Sequence, residues 1–195
     1  DDLLVYLKYF LESSSPAVRS LLSSIKFVMV DEYQDTNKLQ SDIVKGLTQQ
    51  NNNIMVVGDD SQSIYSFCGA NFKNIIEFPS LFKNVQIIKL EENYRSSQAI
   101  LNLANHINET AIEKYTKVLY TRKTSGELPL IIAATKENHQ SKFIVEKILE
   151  LREEGVQLNN IAVLFRSSFF SFDLEIELNK AGIPFLKFGG MKFIE

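Results

Sequence analysis

Cysteine is almost missing from this chain of 195 residues, which has one, Cys68, and two separated histidines, His106 and His139. A lone thiol excludes an internal disulfide framework and a cysteine-based zinc site. No window of about 18 residues is apolar without a charge, which excludes a transmembrane helix, and no stretch has the layout of a signal peptide. Together these absences make an intracellular, cytoplasmic protein without zinc or membrane the expectation. Glycine is also sparse, at positions 46, 58, 69, 126, 155, 182, 189 and 190, and none is followed by Lys-Ser or Lys-Thr. There is thus no GxxxxGK[ST] loop, no backbone cradle for a β-phosphate and no phosphate-binding lysine. A nucleoside triphosphate handled here would need that cradle from elsewhere. The chain opens at Asp1-Asp2 without an initiator Met and reads as a piece of something longer.

What the sequence does hold is ring area and a balanced charge. Fourteen Phe and seven Tyr in a chain that is 45% hydrophobic argue for a packed core rather than disorder. The net charge of −3 gives no global attraction to nucleic acid. Residues 1–97 carry 9 basic and 12 acidic groups, and residues 98–195 carry 12 of each. The basic run Lys114, Lys117, Arg122 and Lys123 reads as a solvated face, as do the pairs Glu91-Glu92 and Glu153-Glu154.

The apolar pattern alternates helices with short apolar runs. Leu3, Leu4, Leu7 and Leu11 share one helical face over residues 2–11, and Pro16 suits the first turn of a second helix. Residues 27–30 and 54–57 are compact apolar runs that read as strands buried on both faces. A helix over 38–50 separates them. Further helices are predicted near 72–78 (stopped by Pro79), from Ser96 or Ser97 to 113, over 139–154 with Gly155 as its stop, and over 172–181. Further strands are predicted at 85–90, 130–134, 161–165 and 184–188. This is an α/β pattern built on parallel strands, with a division near residues 90–95.

Both leading strands end in acid. Asp31-Glu32 follows the first and Gly58-Asp59-Asp60 the second, 28 residues on from Asp31 to Asp59. In open α/β sheets chemistry gathers beyond the carboxyl ends of the strands. One carboxylate at such a place can hold Mg²⁺ while its neighbour polarises an attacking water. Gln62, a donor and an acceptor, suits a phosphate or that water. The alternatives are a solvent-facing turn after the first strand, a polar cap after the second, or an aspartate phosphoacceptor at Asp59 or Asp60. The last would require a lysine brought to the aspartates from a later strand, and no short apolar run places one.

Four strings taken together resemble the UvrD/Rep-like superfamily 1 DNA helicases: VMVDEYQDTN at 28–37, VVGDDSQSIYSFCGAN at 56–71, LEENYRSSQAILNLAN at 90–105 and AGIPFLKFGGMKF at 181–193. DDLLVYL at the start and IAVLFRSS at 161–168 fit the same pattern. The resemblance implies parts of two RecA-like domains, residues 1–90 the later part of the first and 91–195 the beginning of the second. The phosphate-binding loop would lie upstream and the remaining motifs downstream. It implies ATP and Mg²⁺ as cofactors, single-stranded DNA and duplex junctions as partners along with missing parts of the same chain, and 3′–5′ translocation.

By that resemblance Asp31 and Glu32 serve Mg²⁺, with Glu32 activating the hydrolytic water. Gln62 senses the γ-phosphate, and Arg95 reaches across the cleft to it. Tyr65 and Phe67 face DNA. The sequence departs from the family at Phe67, usually Trp; at Cys68, usually Arg; and at Phe172, also usually Arg. Cys68 is expected to be a small buried filler. Phe169, Phe170 and Phe172 suit a contact with a missing subdomain, or a stacking platform. The alternatives carried are a nuclease-linked or regulatory DNA-binding relative with weak unwinding, and the phosphoacceptor domain. The isolated chain is expected to be inactive.

Overall fold

A computed structural model of the chain describes residues 2–124 and 126–189. It divides into two compact units, Asp1–Pro129 and Leu130–Glu195. The calls at Phe193 and the other residues of 190–193 lie outside the described residues.

The first unit starts with three helices, α1 (Asp2–Glu12), α2 (Pro16–Ser24) and α3 (Lys38–Leu47). Ser15 caps α2, its hydroxyl accepting from Val18 N, with Pro16 in the first turn. Asn37 and Gln40 form a reciprocal capping box at the start of α3. Their apolar faces meet in a core of Leu11, Val18, Leu22 and Ile43.

Between α2 and α3 runs β1 (Val28–Val30), paired in parallel with β2 (Ile54–Val56), Val28 opposite Ile54 and Val30 opposite Val56. Val28, Val30, Ile54 and Val56 pack on Tyr33, Val44, Ile75 and Phe78. Met29 and Met55 point away and are 70% and 54% exposed, so the sheet is covered on one face and not on both. The alternation of side chains along a strand sets this, because a single helical layer reaches only every second residue.

α4 (Lys73–Leu81) continues past Pro79 instead of stopping there. Pro79 has no N–H for the carbonyl of Ile75, and the Tyr115 hydroxyl donates to that oxygen at 3.0 Å. α5 (Gln98–Glu109) ends four residues short of the predicted limit. Lys114 stops it, donating to the carbonyls of Asn108 (2.6 Å) and Glu109 (2.8 Å). Ser97 holds the N-cap position without a side-chain cap bond.

The second unit packs α6 (Glu137–Glu153) on α7 (Phe172–Lys180) around Val145, Ile148, Leu174, Leu178 and Ile183. Both helices close on a left-handed glycine. Gly155 (φ 95°) and Gly182 (φ 64°) are each followed by a residue whose N–H reaches back to the last turn, Val156 to Leu151 and Ile183 to Leu178.

The predicted strands at 85–90, 130–134, 161–165 and 184–188 form no ladder among the described residues. A strand is stable only when its N–H and C=O groups find a neighbouring strand, and apolar runs alone do not supply one. Ile131, Leu164 and Leu186 accordingly lie outside any regular element and are exposed. The observed architecture is mixed helical with a small parallel sheet.

Candidate active site at the strand ends

Parallel pairing of β1 and β2 brings their carboxyl ends side by side, since Val57 N donates to Val30 O (2.8 Å) and Tyr33 N to Val57 O (3.0 Å). The chain turns sharply after Val30. Asp31 accepts from Glu32 N at 2.9 Å, and Glu32 sits in left-handed backbone at φ 50°. That conformation costs a non-glycine residue on the order of 1 kcal/mol and persists only where its surroundings hold it. Here Tyr33 and Gln34 hold it from below, 0% and 1% exposed. Tyr33 bonds Ser41 through its hydroxyl (3.0 Å) and meets Phe78 edge to face. Asn74 of α4 pins the far side of the turn by donating to Thr36 O at 2.8 Å.

Gln34 connects the two acidic loops. Its Nε2 donates to Glu32 Oε2 at 2.8 Å, and its Oε1 accepts from Asp59 N at 3.0 Å. Gly58 makes room for this, because a Cβ there would stand 2.5 Å from Gln34 Oε1 and 2.7 Å from Ile75 Cδ1. In the second loop Asp59 accepts from Ser61 N (3.0 Å) and from Gln62 Nε2 (2.8 Å). A continuous chain of hydrogen bonds therefore runs from Glu32 through Gln34 and Asp59 to Gln62.

Lys117 closes that chain from outside the loops. Its Nζ bonds Asp59 Oδ1 and, at 2.9 Å, Asp60 Oδ1, while Tyr115 N donates to Asp60 Oδ2 at 3.1 Å. The sequence pattern puts Lys117 on a solvated face; its side chain is 14% exposed. Burial pushes the Asp59 carboxyl up, but hydrogen bonds from Lys117 and Gln62 and the lysine charge outweigh it and hold Asp59 below the ordinary carboxylate value. Burial likewise pulls Lys117 down, and its bonds to Asp59 and Asp60 outweigh that and raise it. This lysine is the group a phosphoacceptor reading lacks, yet it does not make one. Every carboxylate oxygen of Asp59 and Asp60 is already bonded inside the protein.

The remaining sequence candidates lie as follows. Asp31, Glu32 and Gln62 are exposed at the loop surface. Arg95 is exposed, and its guanidinium makes no hydrogen bond or ion pair among the described residues. Glu92, three residues before it, pairs with Arg122 at 2.9 Å. Glu91 is not a solvated face either, since it accepts from Val118 N at 2.7 Å. The neighbour Asn93 shapes the Arg95 turn, accepting from the N–H groups of Arg95 (2.9 Å) and Ser96 (2.7 Å). Tyr65 and Phe67 stand out from the surface with ring centroids 6.1 Å apart, 47% and 74% exposed. Cys68 is exposed beside them, where a buried filler is expected, because its short turn leads into Gly69 (φ 88°) and away from the core.

Among the described residues no three acidic, histidine or cysteine side chains cluster as a metal cage. The donors at the end of β1 are hard carboxylate oxygens, and Asp35 Oδ1 nearby in sequence is buried without a partner. Such a set fits Mg²⁺, which takes one or two carboxylates and fills its remaining positions with phosphate and water. In the second unit Glu175 is buried against Ser171 (2.7 Å) and Lys187 (2.6 Å), and Lys187 also lies 4.8 Å from the Phe172 ring centroid.

Residues 1–83 match the UvrD/REP helicase N-terminal domain, and residues 88–195 match the UvrD-like helicase C-terminal domain. The ATP-dependent DNA helicase PcrA of Staphylococcus aureus is 34% identical over 195 residues, which is 100% of this chain and 27% of the relative. PcrA of Leuconostoc citreum is 37% identical over 196 residues, 100% of this chain and 26% of the relative. The chain thus spans about a quarter of the length of the curated relatives it matches. With the acidic strand ends joined through one network and both family domains matched in order along the sequence, the chain belongs to the UvrD/Rep helicase family.

Proposed function

We propose that the protein containing this chain is an ATP-dependent 3′–5′ DNA helicase or translocase, and that the loops after β1 and β2 form half of its ATPase centre. The observation that supports this most directly is the hydrogen-bonded connection of Glu32 to Gln62 through Gln34 and Asp59. Phosphoryl transfer needs an aligned nucleophile and a charge-stabilising surround more than covalent chemistry. Glu32, fixed by Gln34, orients the attacking water and takes up its proton. Gln62, fixed by Asp59, contacts the γ-phosphoryl oxygens and feels their departure. Asp31, with Glu32 beside it, would hold Mg²⁺, which supplies neutralisation of charge on the phosphates. Arg95 closes on the same phosphate from the second domain, an interaction worth several kcal/mol in such sites.

The proposed division into RecA-like domains at residues 90/91 lies close to the break between the two family matches, from 83 to 88, whereas the compact units of the structure part at 129/130, with residues 91–129 packed in the first. Tyr65 and Phe67, exposed at the edge of the Gln62 loop, offer rings on which single-stranded bases stack while ATP is turned over. Loss of the γ-phosphate then reaches the DNA-facing rings through the two residues, Ser63 and Ile64, that separate Gln62 from Tyr65.

The test is ATP turnover by the full-length parent protein with and without single-stranded DNA. DNA-stimulated hydrolysis is expected, and Glu32→Gln should lower kcat at least about a hundredfold while nucleotide still binds. A parent protein that shows no nucleotide turnover on any single strand would overturn the reading.

A further inference from the structure

Lys117 stands out because it is a nearly buried cation, in no motif, whose two acidic partners lie 57 and 58 residues away in sequence. The segment that carries it, residues 115–123, runs between two loops of the site. At one end Lys117 and the Tyr115 N–H hold Asp59 and Asp60. At the other Lys123 Nζ donates to Arg95 O at 2.8 Å, and Asn93 N donates to Tyr120 O at 2.7 Å. Between them the segment is fixed by Glu91 to Val118 N (2.7 Å), by a reciprocal pair of bonds between Asn105 and Leu119 (2.9 Å each), and by Gln98 to Thr121 N (3.0 Å). Residues 115–123 are therefore a strap with the Gln62 loop at one end and the Arg95 turn at the other.

We propose that Lys117 is a positioning residue of the ATPase centre: by fixing Asp59 it fixes the Gln62 side chain, and through the strap it ties the placement of Gln62 to that of the Arg95 turn. This rests on the proposed function of the site and deepens it. The argument is geometric. Gln62 is exposed and its side-chain amide is held by Asp59. Asp59 in turn is held by Lys117, Ser61 N and the Gln34 contact to its backbone. Of these only the Lys117 contact comes from outside the two loops, and with the Tyr115 N–H on the neighbouring Asp60 it joins the Gln62 loop to the 115–123 segment. Take it away and Asp59 keeps its backbone place but loses its charge partner, leaving Gln62 free to leave the position where it meets the γ-phosphate. A displacement of that order costs a large share of a rate that depends on alignment.

The experiment uses the full-length parent protein with Lys117→Met, Lys117→Arg, Gln62→Ala and the Lys117→Met/Gln62→Ala pair. Hydrogen exchange of residues 58–66 is followed without nucleotide, with α6 as the internal reference, and kcat and KM for ATP are measured on single-stranded DNA. Lys117→Met should speed exchange in 58–66 about tenfold, leave α6 unchanged, and lower kcat about tenfold with KM within about twofold. It should cost nothing further in the Gln62→Ala background, and Lys117→Arg should recover most of the lost rate. Equal loss of kcat with and without Gln62, or unchanged exchange and unchanged kcat, would overturn the proposal. Should Lys117→Met fail to fold, Asp59→Asn, which cuts the same charge pair with little change of shape, decides by the same readouts. A wild-type parent without ATP turnover would sink the proposed function instead, and the exchange of 58–66 would then decide alone whether Lys117 fixes the loop.

Discussion

Gln34 donates its side-chain N–H to Glu32 at 2.8 Å from a position that is 1% exposed, so the carboxylate that stands in solvent is steered by an amide that does not. The same amide accepts from Asp59 N at 3.0 Å. Its two ends are thereby spent on two different loops, and neither can be lost alone without stranding the other. Replacing Gln34 by Leu in the parent protein should leave Asp59 N–H buried without an acceptor, at a cost of about 1–3 kcal/mol in urea denaturation. It should also lower kcat about tenfold or more through the freed Glu32. Gln34→Glu keeps the acceptor and replaces the donor by a charge of the same sign as Glu32. It should cost less stability and more rate, and a reversed order in the two measurements would count against the bridging role.

Gly58 owes its place to contact rather than to backbone freedom. A Cβ would meet Gln34 Oε1 at 2.5 Å, Ile75 Cδ1 at 2.7 Å and Tyr33 N at 3.2 Å. Gly58→Ala should therefore destabilise the parent by about 1–3 kcal/mol, in the range of overpacked cores. Part of the effect should disappear in Ile75→Val, which withdraws the Cδ1 atom. Urea denaturation of the two single variants and the double variant measures this.

The acidic turns after β1 and β2 were legible in the sequence because they are local: an apolar run followed at once by acid marks the end of a strand wherever that strand finally pairs. Helices α1 to α3 were legible for the same reason, their caps and apolar faces lying within one or two turns. Lys117 was not, because nothing in Lys-Val-Leu-Tyr distinguishes a lysine bound for solvent from one bound for two aspartates some 57 residues away. Pro79 misled for a related reason. It ends a helix only if the carbonyl it orphans finds no other donor, and the donor, Tyr115, comes from 40 residues downstream of Ile75. The strands expected at 85–90 and 161–165 failed on pairing, which is a property of two segments and not of one.

That orphaned carbonyl gives a clean thermodynamic cycle. Tyr115→Phe removes the hydroxyl that donates to Ile75 O and should cost about 1–2 kcal/mol in the wild-type background. In Pro79→Ala the helix regains an N–H for the same oxygen, so Tyr115→Phe should cost markedly less there. Denaturation of the four proteins gives the coupling energy, and additivity of the two substitutions would mean that the hydroxyl does not stand in for the missing N–H.

The Asp59–Lys117 pair gives a pH dependence whose sign is fixed at both ends. Asp59 lies below its ordinary value of 3.8 in the folded state, so the unfolded chain binds its proton first on acidification. The stability it contributes is present above 3.8 and is lost as pH falls through the lower folded value. Lys117 lies above its ordinary value of 10.5, so its contribution is complete below 10.5 and is lost as pH rises through the higher folded value. Across the neutral range neither group titrates in either state. The stability difference between the parent protein and its Lys117→Met variant should therefore form a plateau of about 2–4 kcal/mol through neutral pH, since the variant leaves two partly buried carboxylates without their cation. The difference should shrink at both extremes, on the acid side as Asp59 takes up its proton and on the alkaline side as Lys117 gives its proton up. Chemical denaturation of the two proteins at matched ionic strength measures it. A difference that instead grew on acidification would mean that Lys117 meets a protonated Asp59, and the chain of bonds from Lys117 through Asp59 to Gln62 would lose its charged link.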